Sequence, residues 1–236
     1  RDGGDSSSEI LRLKSDGNVG IGEVAPHGLL HVKSADSSAT ANSDANELVI
    51  ENGTSGQAAG LSILSATNGF GNIFFGDSAD NNVGVFQYDH NSNFMRFFTN
   101  GSERMRLNSS GNLLVGKTAS DIATTGVEID GNLNKIQVTR DGGTPVFLNR
   151  LTSDGEVIIL RKDGTNVGAI GAKNGDLVIH STASGHEGLR FGNGAIVPVG
   201  STGATTDNET NLGGATGRFA DLYLAGGVFL GGTGSA

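Results

Sequence analysis

Apolar and polar residues alternate along this chain with a period of two, in short runs, and hardly ever with the period of a helix. Leu11 and Leu13 fall on one side of an extended run and Arg12 and Lys14 on the other, because successive strand side chains point to opposite faces. Val19 and Ile21 resume the first side after a Ser15-Asp16-Gly17 turn, where Gly supplies positive φ. Comparable runs recur as LVI (48–50), NIFF (72–75), KIQV (135–138), EVIIL (156–160) and DLVIH (176–180). Turn dipeptides punctuate them: Asn52-Gly53, Asn68-Gly69, Asn100-Gly101, Asp130-Gly131, Asp141-Gly142, Asp154-Gly155, Asp163-Gly164, Asn174-Gly175 and Asn193-Gly194. In GRFADLYLAGG (217–227), Phe219, Leu222 and Tyr223 have helical spacing, yet Leu222 and Leu224 alternate. That segment reads as strand, with one helical turn as the alternative. Pro26, Pro145 and Pro198 each suit a strand start or edge. Short strands at close spacing predict an all-β fold.

One unit occurs twice. Residues 11–22 read LRLKSDGNVGIG and residues 105–116 read MRLNSSGNLLVG, with identity at 6 of 12 positions. Each copy predicts two short strands joined at a Gly-Asn turn, with Leu11, Leu13, Val19 and Ile21 matched by Met105, Leu107, Leu113 and Val115. The second copy continues into Lys117 and Thr118 and so spells G-x-x-x-x-G-K-T over 111–118, a phosphate-loop pattern. Such a loop needs a helix after it whose N-terminus faces the phosphates. The segment from Thr118 onward, TASDIATTGVEIDG, has no helical stripe, and the first copy carries Glu23 and Val24 in place of Lys and Thr. The pattern therefore reads as a β-turn, with Lys117 an exposed charge.

Composition changes the picture. The chain of 236 residues has 39 Gly, no Cys, no Trp, 2 Met, 11 Phe and 2 Tyr, and only 36% hydrophobic residues. That is too lean to fill a broad single-chain core. The alternating Val, Ile, Leu and Phe runs argue against disorder. A narrow core shared between chains satisfies both observations, with the eight residues of the two repeats as its expected members. The formal charge is −9, and Lys and Arg are scattered singly, which speaks against a nucleic-acid partner. No run approaches the length of a membrane span, and no secretory signal opens the chain. A first residue of Arg1 and not Met reads as a fragment or a processed product. Without Cys there is no disulfide framework, so stability must come by another route.

Candidate chemistry is sparse. Of five histidines (His27, His31, His90, His180 and His186), His27 and His31 have i, i+4 spacing, but Pro26 and Gly28 oppose a helix, and His180 and His186 could approach across a turn. With no Cys and no acid at ligand spacing, they read as surface or axial histidines and not as metal ligands. Asp77, Asp80, Asp89 and His90 cluster within GDSADNNVGVFQYDH (76–90), where turn formation accounts for them better than calcium does. No G-x-S-x-G elbow occurs, and no carboxylate pair stands out among 25 acids. Asn52, Asn100, Asn108 and Asn208 begin N-x-S/T sequons, which chance explains in so Asn-, Ser- and Thr-rich a chain. The aromatics Phe70, Phe74, Phe75, Phe86, Tyr88, Phe94, Phe97 and Phe98 could offer a sugar-binding surface, but their alternation points to core. No catalytic residue, cofactor site or metal site is assigned, and the receptor-binding residues are unknown.

Several segments resemble known proteins. LRLKSDGNVGIGEVAPHGLLHV (11–32) looks like the GNVGIG…P…LHV segment of bacteriophage tail fibres. FFGDSADNNVGVFQYDHNSNFMRFFTNGSERMRLNSSGNLLVGKT (74–118) is similar to a module of marine-phage tail-fibre proteins. TPVFLNRLTSDGEVIILRKDGTNVGAIG (144–171) and LGGATGRFADLYLAGGVFLGGTGSA (212–236) resemble later modules of the same proteins. The resemblance implies an elongated, intertwined homotrimer of short strands and hairpins, β-prism or β-helix in character. It implies a virion location, tail or baseplate proteins as partners, and a host receptor that is a glycan or an outer-membrane component. It also implies a C-terminal intramolecular chaperone domain, which this sequence does not show; self-cleavage or truncation would each account for that.

The reading is thus a non-enzymatic fibre segment. Its expected modules are a first β-hairpin repeat (1–34), a polar linker or loop (35–46), an aromatic-rich β module ending in the second repeat (47–120), a β-hairpin shaft (121–199), and a Gly/Thr-rich loop with a terminal strand pair (200–236). Two other classes stay open: a tailspike that degrades surface polysaccharide, and a bacterial surface adhesin or filament subunit.

Overall fold

The computed structural model describes residues 10–192, 194–207 and 209–228, which hold sixteen β-strands and no helix. The chain divides into two units, residues 1–143 and 144–236. The fold is all-β, in three open sheets.

The first unit contains two sheets. In one, β1 (Leu11–Leu13), β2 (Val19–Ile21), β3 (Leu30–Ala35) and β4 (Leu48–Asn52) lie in sequence order. β1 and β2 form the expected hairpin, but β2–β3 and β3–β4 are parallel pairs. Hairpin logic alone did not anticipate parallel pairing. It requires crossovers, and the stretches 22–29 and 36–47 provide them without any helix. The second sheet is a meander of β5 (Phe70–Phe75), β6 (Gly84–Asp89), β7 (Phe94–Thr99), β8 (Ser102–Leu107), β9 (Leu113–Val115), β10 (Gly126–Asp130) and β11 (Lys135–Thr139), antiparallel throughout.

The second unit carries a five-stranded antiparallel meander: β12 (Gly155–Lys162), β13 (Thr165–Lys173), β14 (Asp176–His180), β15 (Glu187–Gly192) and β16 (Ala195–Gly200). Asn100-Gly101, Asp163-Gly164 and Asn174-Gly175 are two-residue hairpin loops with both residues at positive φ, the backbone that matches strand twist. Asn193 lies outside the described residues. After Gly200 the described chain has no strand, only a bridge from Val199 to Thr205, so the expected strand over 217–227 does not form within 217–228. Its Gly residues offer nothing to hold a ladder.

The sheets group the chain differently from the modules read by texture. β4 belongs with β1–β3, and β10 and β11 complete the sheet of the second repeat.

The two repeats are the same structure. Lys14 N–H donates to Asn18 O (3.0 Å) and Gly17 N–H to Lys14 O (3.1 Å); in the second copy Asn108 N–H donates to Asn112 O (3.0 Å) and Gly111 N–H to Asn108 O (3.0 Å). Gly22 N–H reaches Ile10 O and Gly116 N–H reaches Arg104 O, both at 2.9 Å. Gly17 and Gly111 take φ of 92° and 80°, which a side chain would strain.

Candidate functional site

Strand register gathers most of the apolar strand residues of each sheet onto one face. In the first sheet Leu11, Leu13, Val19, Ile21, Leu30, Val32, Leu48 and Ile50 stand side by side. In the second, Ile73, Phe86, Tyr88, Met95, Phe97, Met105, Leu107, Leu113, Val115, Val127, Ile129, Ile136 and Val138 share one face. The third sheet aligns Ile158, Ile170, Leu177, Ile179, Leu189, Phe191 and Ile196. A groove of about 600 Å³ opens on that face between Val146, Leu148, Val157, Ile158, Ile170 and Leu177.

These faces are open. Leu13 is 74% exposed, Leu107 45% and Ile136 71%. The residues expected as core thus share a face as the alternation predicted, yet none is buried within one chain. The same holds for the aromatics, which do not form a single-chain core. Phe75, Phe86, Tyr88 and Phe97 line the open face, while Phe70, Phe74, Phe94 and Phe98 lie on the other. There Arg96 sits over Phe70 and Phe98 (5.6 and 5.8 Å), and Arg106 over Phe94 (4.7 Å).

The opposite faces carry what is buried within the chain, most of it polar, although Phe70 and Phe74 on the second sheet stay exposed. Among the described residues four hydrophobics are buried (Leu114, Ala169, Val178 and Val199) against nine polar or charged residues. The connections provide the cover. In the first repeat the turn after β2 brings Glu23 onto Lys33, while Glu51 accepts hydrogen bonds from Ser37 N–H (2.6 Å), Ser37 Oγ (2.7 Å) and His31 Nε2 (2.9 Å). His27 N–H donates to His31 Nδ1 (3.4 Å), which leaves the imidazole proton on Nε2. His31 is fully buried and so is not the surface or axial histidine expected from sequence. The Lys33 ammonium and the Ala25 N–H hold the Glu23 carboxyl down at about 2. Hydrogen bonds from Ser37 lower Glu51 as well.

Glu23, His31 and Glu51 bring three ligand atoms within 4.8 Å of one another, the one group among the described residues able to hold a metal ion. Sequence reasoning missed it because the three residues come from different places, Glu23 from the connection after β2, His31 from β3 and Glu51 from β4. Within it Glu23 already pairs with the Lys33 ammonium, and Glu51 with His31 and Ser37.

The second repeat has a counterpart with its charges reversed. Lys117, at the position of Glu23, is buried and pairs with Glu128 (3.3 Å), and its ammonium also donates to the Asp121 carbonyl. It is not the exposed charge expected from sequence. Residues 113–115 of the phosphate-loop pattern are strand, no helix follows, and the Lys117 Nζ is directed into the protein. Asn112 Nδ2 donates to Glu128 Oε1 (3.0 Å) and Ser120 Oγ (2.8 Å), and Asn112 Oδ1 accepts from Gly131 N–H (3.2 Å).

The remaining candidates are local. Asp77 accepts from the N–H groups of Ala79 (2.7 Å) and Asp80 (3.0 Å), and Asp80 from that of Asn82 (3.0 Å). Asp89 accepts from Asn91, Ser92 and Arg96. His90 packs edge-on against Tyr88 at 4.8 Å. His180 is buried, with Nδ1 on the Ser181 carbonyl (3.1 Å), and His186 meets the Ser181 hydroxyl (3.2 Å), so the serine stands between them. Asn208 lies outside the described residues. No helix of the described chain is long and apolar enough to cross a membrane. No protein-family model, curated protein or solved structure matches this chain.

Proposed function

We propose that this chain is a structural segment of a bacteriophage tail fibre that works as a homotrimer in the virion and contributes to attachment to a host glycan or outer-membrane component. The fibre assignment rests on the sequence resemblance. Association of copies is supported by one observation, that each sheet leaves its apolar face open while what is buried within the chain lies on the other; the number three rests on the resemblance. Three copies that set these faces together bury the apolar surface and shelter sheet edges. Many weak receptor contacts then add through effective concentration, with other tail or baseplate proteins holding the fibre.

Sedimentation at micromolar concentration tests the assembly. A trimer is expected, and a compact folded monomer overturns it. Competition with phage adsorption to host cells tests attachment, with reduced adsorption expected. Release of reducing sugar from host polysaccharide would replace this reading with the tailspike one.

A further inference from the structure

The buried cluster under β8–β10 holds a lysine, an asparagine and a carboxylate in an arrangement with its own chemistry. Lys117 and Glu128 side chains are each 1% exposed, and Asn112 is buried. The carboxylate bridges the other two: Oε2 accepts from Lys117 Nζ (3.3 Å) and Oε1 from Asn112 Nδ2 (3.0 Å). The Asn112 side-chain oxygen is engaged by a backbone donor, Gly131 N–H, at 3.2 Å. An amine, an amide carbonyl polarised by an N–H, and a carboxylate touching both nucleophile and leaving group are the parts of an acyl transfer.

We propose that Lys117 and Asn112 become joined by an intramolecular isopeptide bond, with Glu128 as the catalytic residue that moves the protons. Glu128 Oε2 takes a proton from the Lys117 ammonium. The freed Nζ lone pair attacks Asn112 Cγ, and the Gly131 N–H supports the oxyanion on Oδ1. Glu128 returns the proton to Nδ2, the Cγ–Nδ2 bond breaks, and ammonia leaves; the second Nζ proton passes to Glu128 as the new amide forms and departs with the ammonia as ammonium. The Nζ–Cγ bond replaces the Cγ–Nδ2 bond, with no oxidation and no co-reactant. Proton transfer neutralises two charges that are costly to keep buried. The Ser120 hydroxyl, the largest influence on Glu128, holds its carboxyl below the ordinary range. Loss of ammonia makes the bond a single, irreversible maturation event. The product is a covalent staple in a chain without cysteine. The inference stands independently of the fibre reading.

Mass spectrometry of the full chain tests it. The wild-type mass is expected to fall short of the sequence mass by one ammonia. An acylated Lys117 resists trypsin, so the digest should give one internally linked peptide, 107–135, in place of 107–117 and 118–135. Glu128→Gln and Lys117→Met should each show the full sequence mass. A wild-type chain of full mass with ordinary cleavage after Lys117 overturns the proposal. Ammonia loss confined to a peptide 107–117 that is still cut after Lys117 reports a succinimide at Asn112 and also overturns it. A bond that forms undiminished in Glu128→Gln removes the role given to that residue. The wild-type peptide map is decisive even if a variant fails to fold.

Discussion

The two copies of the Gly-Asn unit share a backbone and an apolar face but not a chemistry. The first, around β1–β2, sets Glu23 against Lys33 beside a buried His31; the second, around β8–β9, sets Lys117 against Glu128 beside Asn112. Their third strands run in opposite senses, β3 parallel to β2 and β10 antiparallel to β9. The central inward residue is Gly20 in one copy and Leu114 in the other. A side chain at Gly20 would run into the Glu23 carbonyl, whereas Leu114 is 1% exposed and fills the corresponding space. Turn and face are therefore properties of the repeated sequence. The cluster beneath belongs to whatever the next connection lays over it.

The largest expected effect probes what the copies share. Leu13→Glu and Leu107→Glu each place a charge on an open apolar face and should abolish the trimer in sedimentation without unfolding the chain, since neither site is buried within it. Wild-type assembly in both variants would sever the open faces from the interface.

Next come the central residues, where the copies differ. Leu114→Ala should cost about 2–5 kcal/mol in chemical denaturation, the usual loss for a fully buried leucine. Gly20→Leu should disrupt the first repeat, because the backbone above it leaves no room. If both substitutions are tolerated, the two connections do not pack over the polar faces.

Acid separates the ion pairs. Glu23 is depressed from 4.5 to about 2, chiefly by Lys33. A carboxyl lowered in the folded state contributes stability that is complete above its ordinary value and is lost as pH falls through the folded one. Thermal midpoints should fall between pH 4.5 and about 2, and Glu23→Gln should flatten that part of the profile. Glu128 is lowered too, with Ser120 as the largest cause, so Ser120→Ala should move the loss from the second repeat to higher pH.

The smallest effect tests equivalence. Gly17→Ala and Gly111→Ala each force a side chain into the left-handed region and should cost about 1–2 kcal/mol, alike in the two copies. Unequal costs would mean that the cluster beneath feeds back on the turn.

Much of the fold was legible because its signals are local. Alternation marked β4, β5, β11, β12 and β14, and Asn100-Gly101, Asp163-Gly164 and Asn174-Gly175 marked the hairpins that join strands. What stayed hidden depends on distant segments. The parallel pairing of β2, β3 and β4 leaves no turn signature, and Glu23, His31 and Glu51 meet only because crossovers bring them together. Lys117 looked like an exposed charge because nothing near it in sequence announces Glu128. The terminal segment misled for the opposite reason: Leu222 and Leu224 alternate, but no neighbouring strand exists in the described chain to accept them.

By itself the sequence determined that the chain is all-β, where its turns fall, and that Leu11, Leu13, Val19 and Ile21, like Met105, Leu107, Leu113 and Val115, share one face. Those properties come from a period of two and from the few residues that tolerate positive φ. Tertiary structure alone decided which face each sheet closes. That choice is made by the paths of the connections, which fold over the polar side, satisfy its charges pairwise, and leave the apolar side for other surfaces to cover.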